Sequence, residues 1–348
     1  MKTDRGNFFE DFSLGQTIDH ATPRTVSEGD VALYMALSGS RFAVNSSDVF
    51  AMDQDYEVAP LDDILVFNMI FGRTVPDISL NAIANLGYAE GLFGVPVIPG
   101  DTLTATSEII GVKENSNAET GVVYVRTVGV NQVDEQVLEY VRWVMVAKRD
   151  ASSPAPETHV PDLAGAVAAE RLGIPEDTSF GDYDPAAAGG PYLWEDYEIG
   201  EKIDHADGMT IEAAEHQLAT RLYQNNARVH FNRFSERNSR FGRRIVYGGH
   251  VISIARGLSF NGLANAFRVA AINSGRHVAP VFAGDTLFAW SEVVDKASIA
   301  GRDDVAALRL RTISCKDTDP GGFPGLGADG AYAAEVVLDL DYWVLMPR

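Results

Sequence analysis

Apolar residues follow two periods along this chain, and both periods occur twice. Val251, Ile252, Ile254, Ala255 and Leu258 have the spacing of one helix face, which predicts an apolar helix over Gly249 to Leu263. Ile64 to Gly72 carries the same character in the first half. A period of two follows each helix. Val122, Tyr124 and Arg126 alternate with Val123, Val125 and Thr127, and Leu308, Leu310 and Thr312 alternate with arginines. More polar helical stretches, Asp30 to Leu37 and Ala213 to Tyr223, come before the apolar helices, with an irregular loop between. Each half thus predicts a polar opening, a helix, a loop, an apolar helix and a closing run of strands. That order is an α+β plan, with an antiparallel sheet wrapped on the helix.

The halves are one unit written twice. FEDFSLGQTIDHA (Phe9 to Ala21) and WEDYEIGEKIDHA (Trp194 to Ala206) lie 185 positions apart and share seven of thirteen residues. Gly100-Asp101-Thr102-Leu103 returns as Gly284-Asp285-Thr286-Leu287, Arg126-Thr127 as Arg311-Thr312, and Trp143-Val144 as Trp343-Val344. The Gly/Asp/Pro-rich stretch from Asp317 to Gly330 absorbs the longer offset at the end. Two such long copies are too few for a solenoid and predict a pseudo-dimer. We divide the chain into residues 1–150, a linker over 151–190, and residues 191–348. The linker opens ASSPAPETHV and closes GDYDPAAAGG, both turn-rich compositions. Its Ala-rich run Leu163 to Leu172 predicts a short crossing helix.

Composition changes the picture in three ways. At 348 residues the chain is long for a single core, which agrees with two domains. No apolar run reaches spanning length, and MKTDRGNFFEDF lacks a signal-peptide core, so a cytoplasmic enzyme without a membrane partner is expected. Asp and Glu number 49 against 28 Lys and Arg, a net charge of −21, which should repel nucleic acid. That balance fits either an ordinary acidic enzyme or one adapted to a salt-rich (halophilic) cytoplasm, where ions screen the self-repulsion. Cys315 is the single cysteine and no two histidines have metal-ligand spacing on one face, so no metal and no cofactor are expected.

The candidate chemistry sits in the second half. His230 lies in the loop ATRLYQNNARVHFN, and Gly248-Gly249 opens the apolar helix eighteen residues later. A helix opening on glycines presents free N–H groups and a positive dipole end, which can hold an oxyanion on a thioester carbonyl. The first half has Asn45 and Asp63 at these places. A histidine needed for folding should occur in both copies, so one found in a single copy points to function. By the same test His20 and His205, equivalent within IDHA, read as structural. His216 is expected on a helix surface, His250 in the core or as a cap, and His159 and His277 carry little case.

This layout resembles the MaoC-like hydratases of double hotdog fold, two tandem hotdog domains each with an antiparallel sheet around a central helix. The runs GSRFAVNSSDVFA, FGRTVPDISLNAIANLGYAE and ATRLYQNNARVHFN are similar to the mesaconyl-CoA hydratase family. The resemblance implies reversible hydration of mesaconyl-CoA to β-methylmalyl-CoA, an acyl-CoA substrate as partner, and a homo-oligomer, expected as a dimer of double hotdogs. It also implies a degenerate first half. The MaoC-like pattern Gly-Asp-x-Asn-Pro-x-His falls on Gln224 to His230, keeping the histidine and placing Asn225 at the aspartate. The implied catalytic residues are His230, Asn225 and Gly248. Substrate contacts are expected from Gly249 and from Arg228 or Arg221, either of which can pair bidentately with a free carboxylate. An amide cannot accept a proton, so a carboxylate from Asp48, Asp53, Asp62 or Asp63 is a candidate replacement. The alternatives are an enoyl-CoA hydratase 2 of other specificity, a hotdog thioesterase, or an acyl-CoA binding protein without catalysis.

Overall fold

The apolar periodicity becomes two buried helices, Asp63–Thr74 and Gly248–Leu258, with every residue from Ile64 to Thr74 and from Gly249 to Leu258 buried. They belong to a computed structural model that describes residues 2–348. The helices touch at Asn68, whose Nδ2 donates to Ser253 Oγ at 3.0 Å and to the Gly249 carbonyl at 3.2 Å. Asn68 and Ser253 are repeat equivalents, 185 positions apart, so the crossing marks a pseudo-twofold axis.

Two glycines repeat the argument. A Cβ on Gly72 would overlap the Tyr223 carbonyl oxygen and lie 2.9 Å from its carbon. A Cβ on Gly257 would overlap the Ser38 oxygen and lie 3.1 Å from its carbon. Each half's flanking helix (Glu28–Ser38; Ala213–Leu222) therefore ends against the other half's central helix. Such reciprocal contact is the property of an isologous interface, here within one chain.

The first half supplies β1 (Thr17–Thr25), β2 (Ala82–Phe93), β3 (Thr102–Glu114), β4 (Thr120–Val130) and β5 (Gln136–Ala147). The second supplies β6 (Lys202–Asp204), β7 (Met209–Thr210), β8 (Arg268–His277), β9 (Thr286–Ser298), β10 (Val305–Lys316) and β11 (Val336–Pro347). All pair antiparallel in one sheet, ordered β1-β3-β4-β5-β2-β8-β11-β10-β9-β6, with β7 on β9. The halves join at β2–β8, where Tyr88 faces Gly275 and Leu92 faces Ala271. Each central helix is wrapped by its own strands, as the double hotdog plan requires.

The two IDHA histidines hold equivalent places. His20 Nε2 bonds Ser107 Oγ (2.7 Å), which bonds Thr127; His205 Nε2 bonds Ser291 Oγ (2.8 Å), which bonds Thr312. Both are buried, in keeping with their structural reading.

Two expectations fail. The second central helix ends at Leu258, because Asn261 (ψ 105°) and Gly262 (φ 99°) break the continuation. Leu163 to Leu172 is not a helix; only Ala169–Arg171 forms a 3-10 turn. Its Val167 N–H donates to Asn273 Oδ1 (2.8 Å), and its carbonyl accepts from Trp343 Nε1 (3.1 Å). With both groups taken by sheet side chains, helical bonding has nothing left there, whatever the alanine content. Among the described residues no helix is long and apolar enough to cross a membrane.

Candidate active site

The loop after the second flanking helix builds the site by local bonding. Gln224 takes a left-handed conformation (φ 55°) that stops the helix. Asn225 Oδ1 accepts the Ala227 N–H at 3.0 Å, a turn that starts the short helix Arg228–Phe231. That helix carries His230. The Ile245 N–H donates to the Val229 carbonyl (3.1 Å), and His230 Nδ1 bonds the Ile245 carbonyl (3.1 Å). A carbonyl only accepts, so Nδ1 carries the proton and Nε2 keeps a lone pair. Burial pushes the His230 pKa down to about 4, against smaller upward effects from the Ile245 carbonyl and Glu236. The ring is therefore neutral near pH 7, the form a base requires.

Two residues past Ile245, Tyr247 is the N-cap of the central helix and makes no side-chain cap hydrogen bond. Gly248 and Gly249 thus begin a helix whose first two N–H groups lack both helical and cap partners, while the His250 N–H already donates to the Tyr247 carbonyl at 2.9 Å. The first half differs at the equivalent place. There Asp62 caps its helix by accepting from the Ile64 N–H at 2.9 Å.

His230, Asn225 and Gly248 line one cavity of about 280 Å³ between the halves. Tyr88, Arg142 and His277 face the same space. His277 packs against Gly248: a Cβ there would overlap Nε2 and sit 2.5 Å from Cε1. Its Nε2 is hydrogen-bonded to the Tyr88 hydroxyl at 3.1 Å, and burial lowers its pKa to about 4, with His230 adding to the drop. Tyr247 packs edge-on to His230 with ring centroids 5.5 Å apart.

The first half's counterpart is closed. Asn45, at the place of His230, donates Nδ2 to the Pro60 carbonyl at 3.1 Å, and Pro60 is the equivalent of Ile245. Asp63, at the place of Gly248, accepts from the Val269 N–H and faces Arg268 at 3.7 Å. Burial raises its pKa to about 7, with Arg268 opposing. The remaining space is about 10 Å³, barely one water.

Several expected residues lie elsewhere. Gly249 faces the other central helix, where a Cβ would overlap Asn68 Oδ1; it packs helices and does not touch the cavity. Arg221 and Arg228 are exposed and outside the cavity lining. Asp48, Asp53, Asp62 and Asp63 do not line it either, and no carboxylate does. His216, expected on a helix surface, is buried, because its helix packs that face inward. Sequence reasoning gives His277 little case and passes over Tyr88, Tyr247 and Arg142. The repeat test would have found two of them: Arg142 stands opposite Tyr342, and His277 opposite Leu92 or Phe93. Among the described residues no three His, Cys, Asp or Glu side chains gather as a metal site.

A neutral histidine base and an uncapped helix N-terminus on one apolar cavity can add water across a double bond conjugated to a thioester. Known proteins agree. The chain is 64% identical to a β-methylmalyl-CoA dehydratase from Chloroflexus aurantiacus over 100% of its length and 99% of the relative. It is 59% identical to a mesaconyl-CoA hydratase from Cereibacter sphaeroides, over 100% of both chains. The crystal structure of a MaoC-domain protein from Chloroflexus aurantiacus superposes with a TM-score of 0.98 at 64% identity, covering 100% of this chain and 99% of that one. A Mycobacterium tuberculosis protein described as a double hotdog superposes at 0.78 over 99% of both chains, at 24% identity, which supports the fold. The family model for mesaconyl-CoA hydratase matches residues 2–326, and the chain belongs to that family.

Proposed function

We propose that this enzyme hydrates mesaconyl-CoA reversibly to β-methylmalyl-CoA, with His230 as the base and Gly248 as the oxyanion donor. In the hydration direction, His230 Nε2 takes a proton from water as the water oxygen bonds the β-carbon. The π-electrons move to the thioester carbonyl, whose oxygen accepts the Gly248 N–H. The imidazolium then returns a proton to the α-carbon, so that water is added across the double bond and His230 is regenerated. Asn225 Oδ1 is occupied by Ala227, which leaves its NH₂ to hold the water oxygen.

The observation that carries this reading is the Asn45/His230 pair. Both side chains donate to the equivalent carbonyl at 3.1 Å. An asparagine therefore suffices for the structural bond, and only the free Nε2 distinguishes the histidine. His230→Asn should fold and melt like the parent while turnover of mesaconyl-CoA falls by about 10²–10⁴-fold. Retained turnover, followed by loss of enoyl-thioester absorbance, would refute the assignment.

A second recess supports the CoA ester. Arg233, Arg237, Arg243 and Arg244 line it, next to the first cavity: Ile245 and Val281 face one space, Arg244 and Ala283 the other. None of the four is ion-paired among the described residues, on a chain of net charge −21. Phe234 is 72% exposed at its edge. Guanidinium groups without a carboxylate partner, beside an exposed ring, suit the phosphates and base of the coenzyme. On this reading the first half is catalytically silent and serves as a wall of the acyl pocket.

A further inference from the structure

The proposed substrate carries a free carboxylate on the carbon that receives the hydroxyl. That charge must enter the cavity with the reacting atoms, and the exposed Arg221 and Arg228 do not reach it. One cation does line the cavity. Arg142, on β5, is fully buried, and neither of its hydrogen-bond partners is a carboxylate. Its Nη2 donates to Thr74 Oγ1 at 2.7 Å, its Nη1 reaches Ser79 Oγ at 3.4 Å, and its plane lies 4.1 Å over the Phe71 ring. Nε has no partner. Asn85, on the same cavity wall, has both its amide oxygen and nitrogen buried and unpaired. Tyr88, beside Arg142 in the β2–β5 register, leads through its hydroxyl to His277 and so to Gly248.

A buried cation without a counter-charge is costly to keep. An arginine whose buried Nε is unpaired and whose Nη1 bond is long, next to an amide that also lacks partners, has the form of a binding group awaiting an anion. We infer that Arg142, with Asn85, binds the free carboxylate of the acyl chain and selects dicarboxylyl over monocarboxylyl thioesters. This rests on the hydratase reading and deepens it. The first half then supplies the specificity group, and the second half supplies the base. Arg142 has no arginine counterpart, since Tyr342 occupies its place in the second half. Burial lowers the guanidinium pKa, and an incoming carboxylate would raise it again.

The test compares kcat/KM on mesaconyl-CoA with that on (E)-2-methylcrotonyl-CoA, which has a methyl in place of the carboxylate. In Arg142→Met the preference for mesaconyl-CoA should fall by about 10²-fold or more, the size expected for one partner lost from a buried charge pair. Guanidinium ion added to Arg142→Ala should restore turnover of mesaconyl-CoA and not of the methyl analogue. Arg142→Lys, which keeps the charge and loses the fork, should fall between; it also serves if the neutral variants do not fold. Equal losses on both thioesters without guanidinium rescue, or a lysine variant with unchanged preference, would make Arg142 a structural arginine and overturn the inference. A parent enzyme that hydrates neither thioester would instead overturn the hydratase reading itself.

Discussion

Adding one methyl group at Gly248 should separate chemistry from folding. In Gly248→Ala the new Cβ would overlap His277 Nε2 and stand 2.5 Å from Cε1, where ordinary contacts begin near 3.4 Å. The imidazole must retreat by roughly 1 Å, since packed atoms do not interpenetrate. It has somewhere to go, because the cavity of about 280 Å³ lies beside it. The move lengthens its 3.1 Å bond to Tyr88 beyond hydrogen-bond range, a loss of about 1 kcal/mol. Alanine in place of glycine in a helix returns up to about 1 kcal/mol. Stability should therefore change little, with Tm within a few degrees of the parent. Activity should not survive as well. The displaced ring enters the space of the acyl chain, and a misplaced oxyanion donor alone costs about 10²–10³-fold in kcat. Gly257→Ala is the control. Its Cβ would meet the Ser38 backbone carbonyl, which cannot swing aside, so it should lose stability by about 1–3 kcal/mol. Melting curves and single-turnover hydration of mesaconyl-CoA read the two effects. A Gly248→Ala enzyme with parental kcat, or one as unstable as Gly257→Ala, would refute the reasoning.

Three further outcomes are expected. His205 and His250 are buried, and desolvation lowers their pKa values to about 4 and about 3, from about 6.5 unfolded. The unfolded chain thus binds more protons in this window. Each histidine's contribution is complete above pH 6.5 and is lost by about 1.4 kcal/mol per pH unit as pH falls toward 4, so urea midpoints should drop between pH 7 and pH 5; a flat profile contradicts this. Replacing Arg237 and Arg243 together by Gln should raise KM for mesaconyl-CoA with little change in kcat, and should flatten the salt dependence of KM; unchanged KM would remove the phosphates from that recess. At net charge −21 the chain should melt higher in molar KCl than in dilute buffer, because the Debye length shrinks from about 30 Å at 0.01 M to about 3 Å at 1 M; equal melting temperatures would make the acidic composition incidental.

The fold was legible because its determinants are local and occur twice. Helix-spaced apolar runs, alternating strands and the FEDF/WEDY openings each mark an element, and the repeat fixes their equivalence. The elements containing His230, Asn225 and Gly248 were legible for the same reason, since the repeat shows what the first half lacks. Arg221, on the flanking helix, and Arg228, on the short helix that carries His230, stand near the base in sequence, yet both side chains turn to solvent. Arg142 lies 88 positions before His230 and reaches the cavity only because β2 pairs with β8 across the pseudo-twofold axis. No spacing within one copy encodes that pairing. His277 carried little case for a related reason: only the tertiary fold brings its strand against Gly248, at the N-terminus of the second central helix. Repeat asymmetry would have flagged both residues, because a side chain that packs a duplicated core equally well in either copy has no reason to differ. The comparison also says why one cavity stays open. Where the first half puts Asp62 and Asp63, it caps its own helix and meets Arg268, closing the space. Where the second half puts Tyr247 and Gly248, the helix end is left for a substrate oxygen, and the facing wall comes from the half that closed.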